Sequence, residues 1–185
     1  MFTIPNLISI IRLGLIPYFL YLLFGKDDPA GAGTVFFFIA WSDWVDGYLA
    51  RRLNQVSELG KLLDPLADRI AVFVAVLFGW VAGVLPPWFA LALLIRESLV
   101  GVAAIVALLR GVTSVTVRYL GKAATFMVYS AVTWFYWVAG WEWDWLEYLA
   151  YAVGTVGLIL YYWVLADYWR DLRAKLAEVN DGSTA

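Results

Sequence analysis

Long apolar runs, separated by short stretches of glycine, proline and charged residues, dominate this chain of 185 residues. A helix that crosses the hydrocarbon core of a bilayer needs about 20 mostly apolar residues in succession, and six segments approach that length. The pattern therefore predicts an all-α integral membrane protein with six transmembrane helices, at residues 4–24, 33–50, 63–84, 86–109, 122–141 and 146–167. An even number of crossings places both termini on one side of the membrane.

The positions of Lys and Arg indicate which side carries the termini. Lys26 lies on the opposite face, whereas the face with the termini, or the span ends nearest it, holds Arg12, Arg51, Arg52, Lys61, Arg69, Arg110, Arg118, Lys122, Arg170, Arg173 and Lys175. Basic residues are enriched in cytoplasmic loops, and Trp is enriched at membrane–water interfaces. We therefore expect cytoplasmic termini, location in the inner (cytoplasmic) membrane, and an aromatic belt at the other face formed by Trp80, Trp88, Trp141, Trp143 and Trp145.

Composition agrees with a membrane protein and argues against several kinds of chemistry. Hydrophobic residues make up 63% of the chain and charged residues 15%, whereas a soluble domain is about half apolar and about a quarter charged. The absence of cysteine and histidine argues against thiol chemistry and a zinc site of the usual kind. We divide the chain into a membrane domain, residues 1–168, and a polar cytoplasmic tail, residues 169–185, and we expect no nucleic-acid partner.

One stretch departs from the apolar pattern: DWVDGYLARRLNQVSELGKLLDPLAD, residues 43–68, contains four aspartates. Asp43 and Asp46 are three apart and Asp64 and Asp68 four apart, so each pair shares one face of its helix. The predicted topology places both pairs at the cytoplasmic surface, on neighbouring spans. Four carboxylates gathered there would repel each other, and a hard divalent cation such as Mg²⁺, Mn²⁺ or Ca²⁺ suits an all-carboxylate site.

Two other interpretations of these acids stay open on the residues alone. Each aspartate, taken singly, is also accounted for by solvation or by pairing with a nearby basic residue such as Arg51 or Lys61. Intramembrane carboxylates also mark ion paths, which would make the protein a small ion transporter. Transport sites usually lie near the bilayer midplane in inverted repeats, whereas these acids lie at one surface and no inverted repeat is visible in the sequence.

The spacing of the whole stretch carries a resemblance to a known family. Eight residues stand at fixed gaps, in the order Asp43-x2-Asp46-Gly47-x2-Ala50-Arg51-x8-Gly60-x3-Asp64-x3-Asp68. This string resembles the complete signature of the CDP-alcohol phosphotransferases, and the likeness extends to the chain length and the six spans. Members of that family transfer a phosphatidyl or similar group from a CDP-linked donor to an alcohol and release CMP.

The resemblance implies a role for each aspartate. Asp43, Asp46 and Asp64 would ligate two divalent cations, Mg²⁺ or Mn²⁺, with Asp43 and Asp64 bridging both ions. Asp68 would contact the second ion and act as the general base that accepts the proton of the acceptor hydroxyl. A carboxylate beside a cation stays ionised at neutral pH, which suits this role.

The resemblance also implies a site for the donor, CDP-diacylglycerol. Gly47 would leave room for the nucleotide against the helix backbone, Arg51 would bind the diphosphate, and Ser57 would lie near the donor. A positive-inside anchor is the competing role for Arg51, and helix capping is the competing role for Ser57.

The N-terminal stretch IPNLISIIRLGLIP, residues 4–17, resembles the opening of the phosphatidylglycerophosphate synthase branch. There Asn6 and Ser9 would hydrogen-bond the donor head group, and Arg12 would meet a phosphate. Helix capping is the competing role for Asn6.

Two further stretches bear on the alcohol. LLIRESLVG, residues 93–101, resembles the Arg-Glu pair of phosphatidylglycerophosphate synthases at Arg96 and Glu97, and a mutually neutralising structural pair is the alternative. YLGKAATF, residues 119–126, resembles the Gly-Lys-x-Lys-Thr stretch of the same enzymes, with Lys122 present and Ala124 in place of the second lysine.

We predict glycerol 3-phosphate as the acceptor, giving phosphatidylglycerophosphate, with Arg96, Arg118 and Lys122 as the acceptor-binding residues. The stretch Gly-Lys-Ala-Ala-Thr-Phe is also similar to CDP-alcohol-type cardiolipin synthases, whose acceptor is phosphatidylglycerol, so that acceptor stays an alternative. Membrane lipids are further expected partners. The family often forms homodimers, for which the aromatic-rich later spans would supply the contact.

Overall fold

The computed structural model describes the backbone of residues 4–53, 58–109 and 119–182, and the side chains of residues 11–42, 69–103, 105, 106, 120–171 and 173. All regular secondary structure in these ranges is helical. The elements are α1 (Ile4–Leu20) with a π-helical turn after it (Tyr21–Gly25), α2 (Pro29–Leu53), α3 (Glu58–Val81), α4 (Pro87–Leu109), α5 (Tyr119–Trp141) and α6 (Asp144–Gly182).

Six long helices therefore occupy the six predicted segments, and the all-helical part of the prediction is confirmed. Within the described residues, the stretch Asp144–Asp171 of α6 is long and apolar enough to cross a membrane, whereas Ile11–Gly25, Pro29–Ser42 and Arg69–Val81 are shorter apolar helices. Six complete crossings stay a prediction.

The helices pack in an order that places α1 between the two aspartate-bearing helices. α5 and α6 form the most extensive helix pair, and α2 packs along α5 as well. Among the described residues, α1 packs against both α2 and α3, more extensively than those two helices pack against each other. The expected contact between α2 and α3 is present in this part of the chain, and α1 contacts both helices.

The side chain of Tyr136 lies where α1, α2, α3 and α5 meet. It has no exposed surface, and its hydroxyl donates a hydrogen bond of 2.7 Å to the carbonyl oxygen of Ala75 on α3. Its ring meets Phe19 of α1 edge-on, with 5.5 Å between centroids. A Cβ added at Gly33 of α2 or Gly79 of α3 would collide with Tyr136. Small residues on membrane helices permit such close approach.

We use two names for the ends of the bundle. The acidic end is where α2 terminates and α3 begins, and the tryptophan end is the opposite one, with Trp80, Trp88, Trp141, Trp143 and Trp145. All five indoles are exposed, and the rings of Trp141 and Trp143 pack with centroids 4.8 Å apart. Exposed indoles clustered at one end are typical of a membrane–water interface, in agreement with the predicted aromatic belt.

The last helix runs through the predicted boundary between membrane domain and tail. α6 continues from Asp144 to Gly182 over 39 residues. The composition changes from apolar to polar near residue 168, but the backbone does not break there. The division into a membrane domain and a polar tail stays a prediction about which residues lie in the membrane, since no break in secondary structure marks it.

We expect Gly79→Ala to destabilise the protein by about 1–3 kcal/mol, because the added Cβ would collide with the Tyr136 hydroxyl in a packed interior. Thermal unfolding in detergent micelles measures the change. Gly101→Ala on α4 is the control, since its Cβ would have no atom within 4 Å. Adding Tyr136→Phe to Gly79→Ala removes the colliding oxygen and should restore part of the loss. Equal stability of the two alanine variants would contradict this packing.

Candidate active site

The described backbone brings the four signature aspartates to the acidic end. Asp43 and Asp46 lie near the C-terminal end of α2, and Asp64 and Asp68 lie near the N-terminal end of α3. The helical spacing of each pair is therefore as predicted, with each pair on one face of its helix. The side chains of residues 43–68 lie outside the described set, so the meeting of the four carboxylates stays a prediction.

The predicted donor-binding residues belong to the same end of the bundle as far as the backbone describes them. Gly47 and Arg51 lie in the last turns of α2, and Asn6 and Ser9 lie in the first turns of α1. Their side chains, and the whole of Ser57, lie outside the described residues. The direction of α1 follows from its contact with α2 through Arg12, so its N-terminal turns point toward the acidic end.

Arg12 forms a buried polar link from α1 to Ser42 of α2, the residue that directly precedes Asp43 in the sequence. Only 1% of its surface is exposed. Its Nε and Nη2 atoms donate to the hydroxyl of Ser42 at 3.3 and 3.1 Å, and Ser42 in turn donates to the carbonyl oxygen of Ile39 at 2.8 Å. Arg12 has further interactions besides Ser42. A buried guanidinium is costly without partners, so this link ties a fixed positive charge to the residue before Asp43.

Arg69 is a residue that the sequence reasoning did not assign to the site. It follows Asp68 on α3 and is half-buried. Its Nη1 atom is buried and has no hydrogen-bond partner among the described residues. A buried donor without a partner calls for an explanation, and an anionic ligand at the acidic end would supply an acceptor. Adjacency to Asp68 is the sequence signal that identifies this residue.

Arg96 and Glu97 form the pair that the sequence suggested, in the interior of α4. Arg96 Nη1 lies 2.7 Å from Glu97 Oε1, and each side chain is 12% exposed. The guanidinium also lies over the ring of Tyr161 on α6, with 3.5 Å between Cζ and the ring centroid. Arg96 Nε is buried without a hydrogen-bond partner among the described residues. The pair is therefore mutually neutralising, as the structural alternative held, and one donor of the cation stays available.

The remaining acceptor candidates are on α5 or before it. Lys122 is exposed and already interacts with other groups, and Arg118 lies outside the described residues. Ala124 has no exposed surface and belongs to the hydrophobic core. The position at which the related stretch carries a second lysine is therefore packed inside the bundle in this chain.

A cavity of about 390 Å³ opens at the tryptophan end, away from these residues. Trp80, Pro86, Glu147 and Tyr151 contribute to its lining. Its position at the C-terminal end of α3 and the N-terminal ends of α4 and α6 separates it from the signature aspartates. It is not the candidate active site.

Metal binding at the acidic end depends on the chemistry of the donor set. Among the side chains that the structure describes, no group of three or more Asp, Glu, His or Cys residues is positioned to hold a metal ion. The four aspartates lie outside that set. A site of carboxylate oxygens without nitrogen or sulfur ligands fits a hard divalent cation, so the residues present suit the predicted Mg²⁺ or Mn²⁺.

Comparison with known proteins settles the family. Residues 2–163 match the CDP-alcohol phosphatidyltransferase family. The chain belongs to this family. The matched region contains all four signature aspartates, Arg12, and the Arg96–Glu97 pair. The resemblance drawn from the spacing is thereby confirmed. Members of the family are membrane proteins and are in general dependent on divalent metal ions.

Relatives of two names are similar to the chain. A provisionally named cardiolipin synthase of Mycobacterium tuberculosis is 44% identical over 125 residues, which cover 67% of this chain and 59% of the relative. A cardiolipin synthase (CMP-forming) of Streptomyces coelicolor is 40% identical over 129 residues, 67% of this chain and 60% of the relative. The aligned part thus spans about six tenths of these two relatives.

A CDP-diacylglycerol–glycerol-3-phosphate 3-phosphatidyltransferase of Escherichia coli is 32% identical over 187 aligned positions, which cover 96% of this chain and 98% of the relative. This similarity therefore extends over nearly the full length of both chains. The relatives with higher identity over a shorter region are named cardiolipin synthases, whereas the relative with lower identity over the full length is named a glycerol-3-phosphate phosphatidyltransferase.

We expect Ser42→Ala to destabilise the protein by about 1.5–3 kcal/mol, because hydrogen bonds to a charged group are among the stronger ones. The variant removes the hydroxyl that accepts from both Nε and Nη2 of Arg12. The measurement is the unfolding midpoint in detergent micelles. Ser98→Ala is the matched control, since the exposed Ser98 hydroxyl donates to Leu94 of its own helix. A loss no larger than that of the control would argue against an Arg12 anchor.

Proposed function

We propose that the protein transfers the phosphatidyl group of CDP-diacylglycerol to an alcohol and releases CMP, with glycerol 3-phosphate as the acceptor and phosphatidylglycerophosphate as the product. The observation that carries the proposal is the complete eight-residue signature inside a region that matches the family. The ion-transporter alternative gives no reason for Gly47, Arg51 and Gly60 at their fixed offsets. The full-length similarity to the Escherichia coli enzyme supports the choice of acceptor.

The donor is assigned to the acidic end. Asp43, Asp46, Asp64 and Asp68 would hold two divalent cations, Mg²⁺ or Mn²⁺, which supply neutralisation of the charge on the diphosphate. Arg51 would bind the diphosphate through its planar fork of donors, and Gly47 would leave space for the nucleotide. Asn6, Ser9 and Ser57 would contact the donor from α1 and from the connection between α2 and α3.

The proposed chemistry is one substitution at phosphorus. Asp68 accepts the proton of the acceptor hydroxyl, and the acceptor oxygen forms a bond to the lipid-side phosphorus. The bond from that phosphorus to the bridging oxygen of the diphosphate breaks, and CMP leaves with this oxygen. A general base of this kind contributes typically about 10²–10⁴-fold to a rate, and positioning of the two reactants contributes the rest.

The acceptor is assigned to the Arg96 region. Ionisable residues inside membrane helices are costly and mark functional sites by default. The Arg96 side chain is 12% exposed and contacts Glu97 and the Tyr161 ring, and its Nε is buried with no hydrogen-bond partner among the described residues. A guanidinium edge with a free donor suits a phosphate oxygen, and glycerol 3-phosphate carries such a group. Lys122 and Arg118, near the start of α5, would add positive charge to the path of the acceptor.

A second candidate acceptor, phosphatidylglycerol, is favoured by a specific observation. Ala124 fills the place of the second lysine of the glycerol 3-phosphate enzymes and is fully buried, so a lysine there would not fit without repacking. The Mycobacterium and Streptomyces relatives, which share higher identity over a shorter region, carry cardiolipin synthase names. Phosphatidylglycerol also carries a phosphate for Arg96, so the site alone does not exclude it.

The proposed setting is the inner membrane, with six crossings, both termini in the cytoplasm and the acidic end at the cytoplasmic face. The basic residues near the acidic end and the exposed indoles at the tryptophan end support this orientation. CDP-diacylglycerol would then be reached from the inner leaflet. A homodimer through the exposed aromatic surfaces is part of the proposal.

We expect Asp68→Asn and Asp64→Asn to lower the rate of CMP release by about 100-fold or more, since the first removes the base and the second removes a cation ligand. The assay is release of CMP from CDP-diacylglycerol by purified protein with Mg²⁺ or Mn²⁺. Arg52→Ala is the control and should have a mild effect, because Arg52 is assigned only an orienting charge. An active Asp64→Asn protein would contradict the metal assignment.

The choice of acceptor is decided by supplying each alcohol separately. With CDP-diacylglycerol and a divalent cation, we expect glycerol 3-phosphate to give phosphatidylglycerophosphate, as resolved by chromatography of the lipids. Removal of the divalent cation by a chelator should abolish the product. Cardiolipin formed only from added phosphatidylglycerol would replace the first acceptor by the second and leave the transfer reaction in place.

A further inference from the structure

We infer that Tyr161 of α6 is a positioning residue that holds the Arg96 guanidinium in the orientation needed to bind the acceptor's phosphate. This inference rests on the proposed function, because it takes Arg96 as an acceptor-binding residue. Nothing in the sequence pattern marks Tyr161, which lies in the apolar run of α6 and is 3% exposed.

The first observation is the distance between the cation and the ring. Arg96 Cζ lies 3.5 Å from the centroid of Tyr161, which is van der Waals contact and well inside the range of about 6 Å for cation–π attraction. At that distance the planar guanidinium has one face covered by the ring. Its approach to any ligand is therefore restricted to its edges, where the N–H donors lie.

The second observation is how the donors on those edges are used. Nη1 donates to Glu97 Oε1 at 2.7 Å. The Nε atom is buried and has no hydrogen-bond partner among the residues whose side chains are described. Buried polar atoms are almost always paired, so the arrangement has one unmet donor on an otherwise fixed cation. A phosphate oxygen, an acceptor with negative charge, is the chemical group that meets this donor best.

The third observation is that packing fixes the ring itself. Tyr161 is 3% exposed and belongs to the hydrophobic core, so its side chain has little room to move away from Arg96. Neighbouring residues on a helix do not face each other, yet Nη1 of Arg96 reaches the carboxylate of Glu97. The cation is therefore held between a carboxylate on its own helix, α4, and a ring on α6.

If Arg96 and Glu97 served only to neutralise each other, the contact of Arg96 with the Tyr161 ring would add nothing to that role. The charges of Arg96 and Glu97 cancel within the pair, whereas the contact with the Tyr161 ring adds orientation without adding charge. An arginine side chain has several rotatable bonds, and fixing them before a ligand arrives strengthens binding by reducing the ordering that binding requires. The expected consequence is an effect on acceptor affinity rather than on donor affinity.

The test compares Tyr161→Leu, Tyr161→Phe and a matched control, Tyr162→Phe, in purified protein. Tyr162 also joins α6 to α4, through a hydrogen bond of 2.8 Å from its hydroxyl to the Ala92 carbonyl oxygen, whereas the ring that the Arg96 guanidinium lies over is that of Tyr161. We expect Tyr161→Leu to raise the KM for the acceptor about tenfold with the KM for CDP-diacylglycerol unchanged. Tyr161→Phe keeps the ring and should show a smaller rise.

A second readout does not depend on turnover. Glycerol 3-phosphate, added without CDP-diacylglycerol or divalent cation, should raise the thermal unfolding temperature of the wild type and of Tyr162→Phe, and should raise that of Tyr161→Leu much less. A parallel thermal unfolding experiment uses phosphatidylglycerol in mixed micelles in place of glycerol 3-phosphate. No stabilisation of the wild type by either acceptor would overturn the inference.

The outcomes separate this inference from the proposed function. Transfer by the wild type, combined with equal changes of both KM values in Tyr161→Leu or with loss of thermal stability alone, would make Tyr161 a packing residue and leave the reaction intact. Absence of CMP release by the wild type with every alcohol would overturn the reaction. Acceptor-dependent stabilisation that depends on Tyr161 would then still establish the site as a phosphate-binding one.

Discussion

The insertion of one tyrosine between glycines sets the distances on which the rest of this molecule depends. Tyr136 of α5 packs against Gly33 of α2 and Gly79 of α3, meets Phe19 of α1, and donates a hydrogen bond to the Ala75 carbonyl oxygen. In a bilayer, helix association rests on close packing and interhelical hydrogen bonds, since lipid tails are as apolar as the helix surfaces. The three helices that Tyr136 joins are those whose acidic ends carry the donor-binding residues and the aspartates. The packing and the hydrogen bond of Tyr136 thus set how closely the helices that carry the candidate site approach each other.

Two arginines inside this bundle have a partner on a second helix. Arg12 crosses from α1 to the Ser42 hydroxyl on α2, and Arg96 is fixed by Glu97 on its own helix and by Tyr161 on α6. Both arrangements orient a guanidinium rather than merely neutralise it. A fixed cation does not have to reorganise when a phosphate arrives, which is the property that the proposed acceptor site at Arg96 requires.

The sequence predicted the helices well because the length of an apolar run is a local property. It also predicted that each pair of aspartates shares one helix, because their spacing is local too. It placed the start of α2 at residue 33, whereas α2 begins at Pro29 because the Asp28 carboxylate accepts a hydrogen bond of 2.8 Å from the Gly31 amide. Hydropathy does not register such a cap. The partners of Arg12 and Arg96 on other helices were not predictable, since Ser42 and Tyr161 lie 30 and 65 positions away in the chain and neither stands out by residue type. The same holds for Ala124. The sequence shows alanine in place of the second lysine, but the full burial of this position is known only from the packing of α5.

The length of α6 has a mechanical meaning. At a rise of 1.5 Å per residue, 39 helical residues extend about 58 Å, whereas the hydrocarbon layer is about 30 Å thick. In the proposed orientation the final turns stand clear of the lipid tails as a stiff rod continuous with a helix that touches Arg96 through Tyr161. Any tilt of that extension would therefore be transmitted along one continuous helix to the ring that contacts Arg96, the proposed acceptor-binding residue.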